Sequence, residues 1–296
     1  MSVKILHIGL PKTGTTVLQK YIFPDFEKYF GIKYIKLTKK AEDRDNVKFH
    51  LLENYREFEK TLPSNFIISN ERLFSHSTEF KDIEKSFEIL KKNFSPNTKI
   101  LITLRNPYNF LNSTYVQSVQ MYYVNKPENF FINNSFDKVR NWNQYNLFKF
   151  NYNDFIKLYK SYFKKVVIVK YENLNNLSFL NELMVVDKYH LELMKKKMQI
   201  KDNLSTPEIG IKIYIFLSRF IDLKKFDNFF RKKITPSGNI IIKIKNKIFS
   251  QFLLRDWFQW KLHKYFSMKK YYIDKKFIPL DLLKLEKEYR ELNIKD

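Results

Sequence analysis

The chain has 296 residues, a formal net charge of +23, no cysteine, and a composition that is 44% hydrophobic and 17% aromatic. These values exclude a disordered or fibrous protein, a disulfide framework and a cysteine nucleophile, and the length suits one large α/β domain, with or without a helical appendage. The positive charge favours a polyanionic partner, but codon bias in a low-G+C genome would produce the same excess of lysine. Both interpretations of the charge stay open.

The apolar segments are too short to predict export or membrane insertion. Residues 1–8 lack the charged region, the long apolar region and the cleavage site of a signal peptide. The apolar stretches 211–217 and 240–242 contain or adjoin Lys well before the roughly 18 residues that a spanning helix needs. We therefore expect a cytoplasmic protein without a transmembrane segment. We also expect no specific nucleic-acid partner. Contact with an anionic surface and the oligomeric state are left open.

Strands and helices alternate along the first 170 residues. Apolar runs predict strands at residues 3–8, 32–37, 65–69, 99–104 and 166–169. Apolar periodicity predicts helices from the first loop to residue 23, and at residues 47–62, 80–94, 107–123 and 155–163. We expect the first helix to end at Phe23, because Pro24 lacks an amide hydrogen and its ring obstructs the preceding turn.

The strand pattern also predicts the fold class. Continuous apolar strands interleaved with helices are typical of a parallel sheet that is covered on both faces. After residue 174 the pattern is helical and more charged, with one further candidate strand at 240–244. We predict a three-layer α/β fold with a central parallel sheet and a helical C-terminal region. We treat 1–296 as one domain, with an α/β core at 1–220 and a helical extension at 221–296.

Residues 9–16 have the pattern of a P-loop-like phosphate-binding turn. A turn between a strand and a helix gathers backbone N–H groups and the positive end of the helix dipole at one point. The spacing of Gly9 and Gly14 matches the nucleoside-triphosphate loop, but Thr15 stands where that motif has Lys. The cation lies inside the loop instead, at Lys12, within reach of a phosphate or a leaving oxygen. A helix-capping turn with a surface Lys is the alternative.

The segment Pro11-Lys12-Thr13-Gly14-Thr15-Thr16 resembles the 5′-phosphosulfate loop of the sulfotransferases that use 3′-phosphoadenosine 5′-phosphosulfate (PAPS). The resemblance implies that Lys12, Thr13, Gly14, Thr15 and Thr16 bind this donor.

A second segment resembles the 3′-phosphate site of the same family. It consists of Arg105-Asn106-Pro107 followed by Ser113 and Tyr115. Arg105 is expected at the carboxyl end of a parallel strand, and Ser113 lies about two helical turns further, so a guanidinium and a hydroxyl can converge on one phosphate. A surface ion pair of Arg105 and a capping role of Ser113 are the alternatives.

Two weaker resemblances extend the match to about residue 220. The run Tyr171-Glu172-Asn173-Leu174 after the fifth strand is similar to the family's Y-E-[DN]-L segment, and Asn203-Leu204-Ser205 is similar to an N-x-S segment. We interpret Glu172 as structural, since an acid there can orient a loop or cap a helix.

Transfer to an acceptor hydroxyl needs a general base near the carboxyl ends of the strands. Glu71 is the first candidate, because it follows the strand 65–69 where sulfotransferases resembling this chain carry a catalytic His or Glu. Lys12 and the neighbouring Arg72 would then stabilise the leaving and transferring groups. An exposed ion pair between Glu71 and Arg72 is the alternative. His50 and His76 are substitutes for the base.

The sequence predicts no metal site. The five histidines are scattered, and the strand that would supply a Mg²⁺ carboxylate ends in Arg105. His7, inside the first strand, is interpreted as a core or sheet-end residue.

Glu71 stands where the cytosolic sulfotransferases carry a catalytic His, and in this respect the chain resembles the carbohydrate-type branch of the family. This resemblance implies a glycan or a cell-surface polysaccharide precursor as the acceptor. Two other functions stay open. One is an ATP- or GTP-dependent phosphotransferase, against which Thr15 and the missing Mg²⁺ carboxylate speak. The other is a non-enzymatic polyanion-binding protein that uses the +23 charge.

Overall fold

The computed structural model describes residues 2–10, 12–36, 52, 57–73, 83–120, 151–199, 207–232, 270–274, 276 and 280–292. His50, His76, the segment 203–205 and the candidate strand 240–244 lie outside these residues, as does most of the predicted helix 47–62. The side chain of Arg72 is also outside the description.

Five parallel strands form one sheet in the order β2-β3-β1-β4-β5. The strands are β1 (Lys4–Gly9), β2 (Lys33–Lys36), β3 (Phe66–Ser69), β4 (Lys99–Leu104) and β5 (Val166–Lys170). Every residue of β3 is buried, and so is every residue of β1 and β4 after the first. These three strands are shielded from water on both faces of the sheet, as the continuous apolar runs predict. The predicted α/β class with a central parallel sheet is therefore confirmed.

Helices form much of the remainder of the described residues. They are α1 (Thr15–Val17), α2 (Phe23–Phe30), α3 (Ile83–Asn93), α4 (Pro107–Gln120), α5 (Tyr152–Lys160), α6 (Leu180–Leu183), α7 (Lys188–Met198), α8 (Glu208–Leu217), α9 (Leu223–Lys232) and α10 (Leu280–Glu291). Short 3₁₀ helices cover Phe58–Thr61, Glu71–Leu73 and Tyr171–Asn176. None of the described helices is long and apolar enough to span a bilayer.

The prediction that the first helix ends at Phe23 is wrong. A π-helical turn, Leu18–Ile22, joins α1 to α2, and the helical path continues to Phe30. Pro24 lies in the first turn of α2, where its missing N–H leaves no helical hydrogen bond unmade. The path ends at Gly31, which has a left-handed φ of 63°.

The chain divides into two compact units. The first unit comprises Met1–Phe110, Asn134–Lys201 and Leu280–Asp296, and it contains the whole sheet. Its C-terminal helix α10 contacts the end of β5, since the Lys170 ammonium donates to the Leu292 carbonyl over 3.1 Å. The Tyr289 hydroxyl donates to Glu172 Oε2 over 2.6 Å.

The second unit comprises Leu111–Asn133 and Asp202–Pro279. In its described part, the Asn112 side chain donates to the Tyr271 carbonyl over 2.8 Å and accepts from the Ile273 amide over 2.9 Å. The Tyr115 ring is buried, with its centroid 5.7 Å from that of Tyr271.

Candidate active site

The loop after β1 has the backbone geometry of an anion-binding turn. Lys12 and Gly14 both have positive φ angles, of 66° and 81°. The Gly14 carbonyl then accepts from the amides of Val17 and Leu18, over 3.0 and 3.2 Å, as the helix begins. The first N–H groups of such a helix have no acceptor within the helix and are available to an anion. Pro11 lies outside the described residues.

Gly9 and Gly14 fit tightly into this loop. A Cβ atom on Gly14 would lie 2.6 Å from Leu174 Cδ2 and 3.2 Å from Tyr171 Cε2. A Cβ atom on Gly9 would clash with Thr15 Oγ1. The segment after β5 packs directly against the turn at Gly14, and the loop packs on itself at Gly9. Glycine is therefore the residue that fits at both positions.

The side chains of the loop differ in burial. Thr13 is fully buried and donates from its hydroxyl to the Leu10 carbonyl over 2.6 Å. Thr15 is buried too, but among the described residues its Oγ1 has no hydrogen-bond partner. A buried hydroxyl without a partner costs about 1–3 kcal/mol, a cost that an anionic oxygen bound there would remove. Thr16 is exposed and Lys12 is half-buried. These features fit a bound phosphosulfate.

Arg105 follows β4 directly, at the carboxyl end of a parallel strand as predicted, and it also lies beside the loop. Its Nη1 donates to the Lys12 carbonyl over 2.7 Å, and its guanidinium carbon lies 4.6 Å from the centroid of the Tyr171 ring. The Tyr152 hydroxyl donates to the Arg105 carbonyl over 2.8 Å. The first two contacts hold the guanidinium, and the third holds the backbone of Arg105, all within the first unit. Ser113 lies in α4 within the second unit, and its part in binding a 3′-phosphate stays a prediction.

Glu71 opens the 3₁₀ helix that follows β3, at the same edge of the sheet. Its side chain is accessible to solvent, yet protein atoms surround it closely enough that desolvation raises the pKa of its carboxyl group. The positive charge of Lys12 offsets part of this rise in pKa. The Glu71 carboxyl group therefore interacts electrostatically with the Lys12 ammonium. Its raised pKa makes Glu71 a stronger base than an ordinary glutamate.

Sequence reasoning missed two features of this edge, namely the contacts of Tyr171 and the contact that α10 makes with Glu172. Tyr171 packs on both Gly14 and Arg105, although the sequence indicated it only as part of a segment. Glu172 accepts from Tyr289 of α10, which agrees with a structural role. Burial and the Glu172 carboxylate raise the pKa of Tyr289, so its hydroxyl keeps its proton. No family pattern had pointed to α10.

The third missed feature is a buried series of hydrogen-bonded polar side chains beneath the loop, which we call the polar series. His7, Ser69 and Thr103 stand at the carboxyl ends of β1, β3 and β4, and all three are buried. Single polar residues near the ends of apolar strands are the signal that could have indicated them. Elsewhere, no group of three His, Asp or Glu side chains within the described ranges lies close enough to hold a metal ion.

Comparison with known proteins agrees with this arrangement. A family model described as a sulfotransferase domain matches residues 3–180, a span that includes the five strands, the loop, Glu71 and Arg105. No curated protein matches the chain at a significant level. The family model covers more than half of the chain, and the five-stranded parallel sheet is consistent with the fold of such a domain. The chain therefore belongs to the sulfotransferase family and is a PAPS-dependent sulfotransferase.

Proposed function

We propose that this sulfotransferase transfers the sulfuryl group of PAPS to a hydroxyl or amine of a glycan or cell-surface polysaccharide precursor, with Glu71 as the general base. The observation that supports Glu71 best is its electrostatic coupling to Lys12 at the sheet edge that carries the loop. Family membership favours sulfuryl transfer over the phosphotransferase and the non-enzymatic polyanion-binding protein.

The donor would be held by the loop and by Arg105. The amides of the first helical turn, with Thr13, Gly14, Thr15 and Thr16, face the 5′-phosphosulfate in this proposal. The buried Thr15 hydroxyl supports it, because this atom needs an acceptor or donor that the described residues do not provide. Arg105 would bind the 3′-phosphate, for which its planar fork is suited. The motif that contains Ser113 predicts a second ligand to the same phosphate.

The chemistry would be an in-line displacement at sulfur. Glu71 accepts the proton of the acceptor hydroxyl as the new O–S bond forms and the bond to the 5′-phosphate oxygen breaks. Lys12 neutralises the charge that develops on the leaving oxygen. Arg72, next to Glu71 in sequence, is proposed to stabilise the transferring group. No step requires a divalent metal, because a sulfuryl group carries less charge than a phosphoryl group.

The glycan acceptor rests on the presence of Glu71 where other branches of the family have His. A panel of neutral glycans, amino sugars and small phenols, incubated with PAPS and assayed for adenosine 3′,5′-bisphosphate release, tests this choice. We expect release with a glycan and not with the phenols. Release with the phenols alone would contradict the acceptor class and leave the donor assignment intact.

The role of Glu71 is tested by Glu71→Gln. Loss of a general base lowers the rate about 10²–10⁴-fold, while the dissociation constant for adenosine 3′,5′-bisphosphate should stay at the wild-type value. Glu88→Gln is the matched control, because Glu88 is an exposed glutamate of α3 paired with Lys91 over 3.5 Å. Full activity in Glu71→Gln would assign the base to another residue.

A further inference from the structure

We propose that His7 is a positioning residue which, as its neutral Nε2–H tautomer, ties the donor loop to the end of the strand that precedes Glu71. The inference rests on the proposed function for the roles of the loop and of Glu71. It concerns a fully buried residue that is not among the proposed donor- and acceptor-binding residues.

The geometry begins with three adjacent strands. β1 pairs with β3 and β4 on its two sides, with His7 opposite Ser69 and Gly9 opposite Thr103. His7 Nδ1 lies 2.7 Å from Ser69 Oγ, and its Nε2 lies 3.3 Å from Thr103 Oγ1. Thr103 Oγ1 in turn lies 2.8 Å from Thr13 Oγ1, inside the loop. His7 is therefore the link between β3 and the loop.

The direction of each hydrogen bond follows from counting hydrogens. The Thr13 hydroxyl has one hydrogen and gives it to the Leu10 carbonyl, so Thr103 must donate to Thr13. Having used its only hydrogen, Thr103 can only accept from His7, which places the proton on Nε2.

The other half of the series is fixed in the same way. His7 Nδ1 carries no hydrogen and accepts from the Ser69 hydroxyl. Ser69 Oγ then accepts from Gln19 Nε2 over 3.1 Å. One tautomer of His7 satisfies the whole series.

The imidazole stays neutral while it does so. His7 is fully buried, and burial lowers its pKa to about 3. Its edge also supports the loop, because a Cβ atom on Gly9 would lie only 3.3 Å from His7 Cε1.

Both ends of the series hold backbone that carries proposed site residues. At one end, Thr13 closes the loop that contains Lys12. At the other, Gln19 donates to both the hydroxyl and the carbonyl of Ser69, over 3.1 Å each, and Asn70 and Glu71 follow directly. The Ser69 hydroxyl therefore reaches the Thr13 side chain of the loop through His7 and Thr103. A packing role, such as the edge contact of His7 with the Phe23 ring at 5.2 Å, would not transmit it.

The tautomer is tested directly on the full chain without ligand. A long-range ¹H–¹⁵N spectrum of ¹⁵N-histidine-labelled protein should show His7 protonated at Nε2 only, with the signal assigned by its absence in His7→Phe. A proton on Nδ1, or averaging between the two nitrogens, would overturn the proposed series. This measurement needs no substrate, so it separates failure of the inference from failure of the proposed function.

The coupling is tested by adenosine 3′,5′-bisphosphate affinity in a double-mutant cycle. We expect Ser69→Ala to weaken binding about tenfold, a size typical of a positioning partner, and to have a smaller effect in the His7→Phe background. The conservative His7→Gln, whose amide can still donate to Thr103, should bind the bisphosphate better than His7→Phe.

Ser86→Ala is the matched control, because Ser86 is a buried serine of α3 in the same unit. Thermal unfolding without ligand checks that each variant folds. Equal effects of Ser69→Ala in both backgrounds, or no effect in the wild type, would overturn the positioning role.

Discussion

Two glutamates of the first unit lie at opposite ends of the sheet, and their surroundings differ in one decisive respect. At the amino end, Glu59 accepts from Lys4 over 2.6 Å, from the Ser95 amide over 2.7 Å and from the Thr98 hydroxyl over 2.7 Å. At the carboxyl end, Glu71 accepts no hydrogen bond from any described residue. Among the described residues, Glu59 has hydrogen-bond donors on three residues, whereas Glu71 has the electrostatic interaction with Lys12 alone.

The pKa values of the two groups move in opposite directions for that reason. Partial burial would raise the pKa of Glu59, but the hydrogen bonds from Lys4, Ser95 and Thr98 outweigh it and hold that pKa below the ordinary value. Desolvation raises the pKa of Glu71, and only the charge of Lys12 opposes it. The carboxylate at the amino end thus contributes to stability, and the raised pKa at the carboxyl end supports the proposed role of Glu71 in proton transfer.

The largest expected effect tests whether the carboxyl edge depends on the shape of the loop. In Gly14→Ala, the alanine would have to adopt the left-handed backbone of Gly14, which costs about 1–2 kcal/mol. Its methyl group would also lie 2.6 Å from Leu174 Cδ2. We expect isothermal calorimetry to detect no binding of adenosine 3′,5′-bisphosphate.

Gly31→Ala is the control for this change, because Gly31 also has a positive φ, but a Cβ atom added there would meet nothing within 4 Å. It should lose about 1–2 kcal/mol of stability and keep its affinity for the bisphosphate. Equal loss of affinity in both variants would mean that backbone strain, and not the packing of the loop, explains the effect.

The amino end should respond in stability alone. Glu59→Gln removes the charge that accepts from Lys4, and we expect the free energy of unfolding at neutral pH to fall by about 2 kcal/mol, with sulfate transfer per folded molecule unchanged. Urea unfolding measures the loss. Glu57→Gln is the control, since Glu57 and its partner Lys60 are both well exposed and such a pair contributes less than about 1 kcal/mol.

The pH dependence of this contribution has a definite sign. Because the pKa of Glu59 is lower in the folded protein, its stabilisation is present above the unfolded value and is lost as the pH falls through the folded value. The difference in stability between the wild type and Glu59→Gln should therefore shrink on acidification below the ordinary glutamate pKa. A difference that grows at acid pH would contradict the assignment.

The sequence predicted the sheet well because its three central strands, β1, β3 and β4, are buried on both faces. Each observed strand lies within two residues of a predicted apolar run, and the glycine spacing located the loop between β1 and α1. Pro24 misled the prediction of the first helix, because a proline in a first turn is compatible with a helix after a π-helical turn.

The polar series could not be predicted for a different reason. His7, Ser69 and Thr103 are far apart in the chain, and they meet only because β1 lies between β3 and β4 in this register. Strand order is a property of the whole fold and not of any local pattern. The position of Tyr289 beside Glu172 depends on tertiary packing in the same way.

The smallest effect concerns the link between Lys12 and Glu71. Since the Lys12 charge lowers the pKa of Glu71, Lys12→Gln should raise that pKa further above the ordinary glutamate value, so Glu71 is deprotonated only at higher pH. A ¹³C titration of the glutamate carboxyl groups, with the Glu71 signal assigned by Glu71→Gln, measures this shift without a need for activity. Lys28→Gln, which removes an exposed charge of α2, should leave the Glu71 titration unchanged. An unchanged titration in Lys12→Gln would break the electrostatic pair on which the proposed base depends, and the two ends of the sheet would then differ in hydrogen bonding alone.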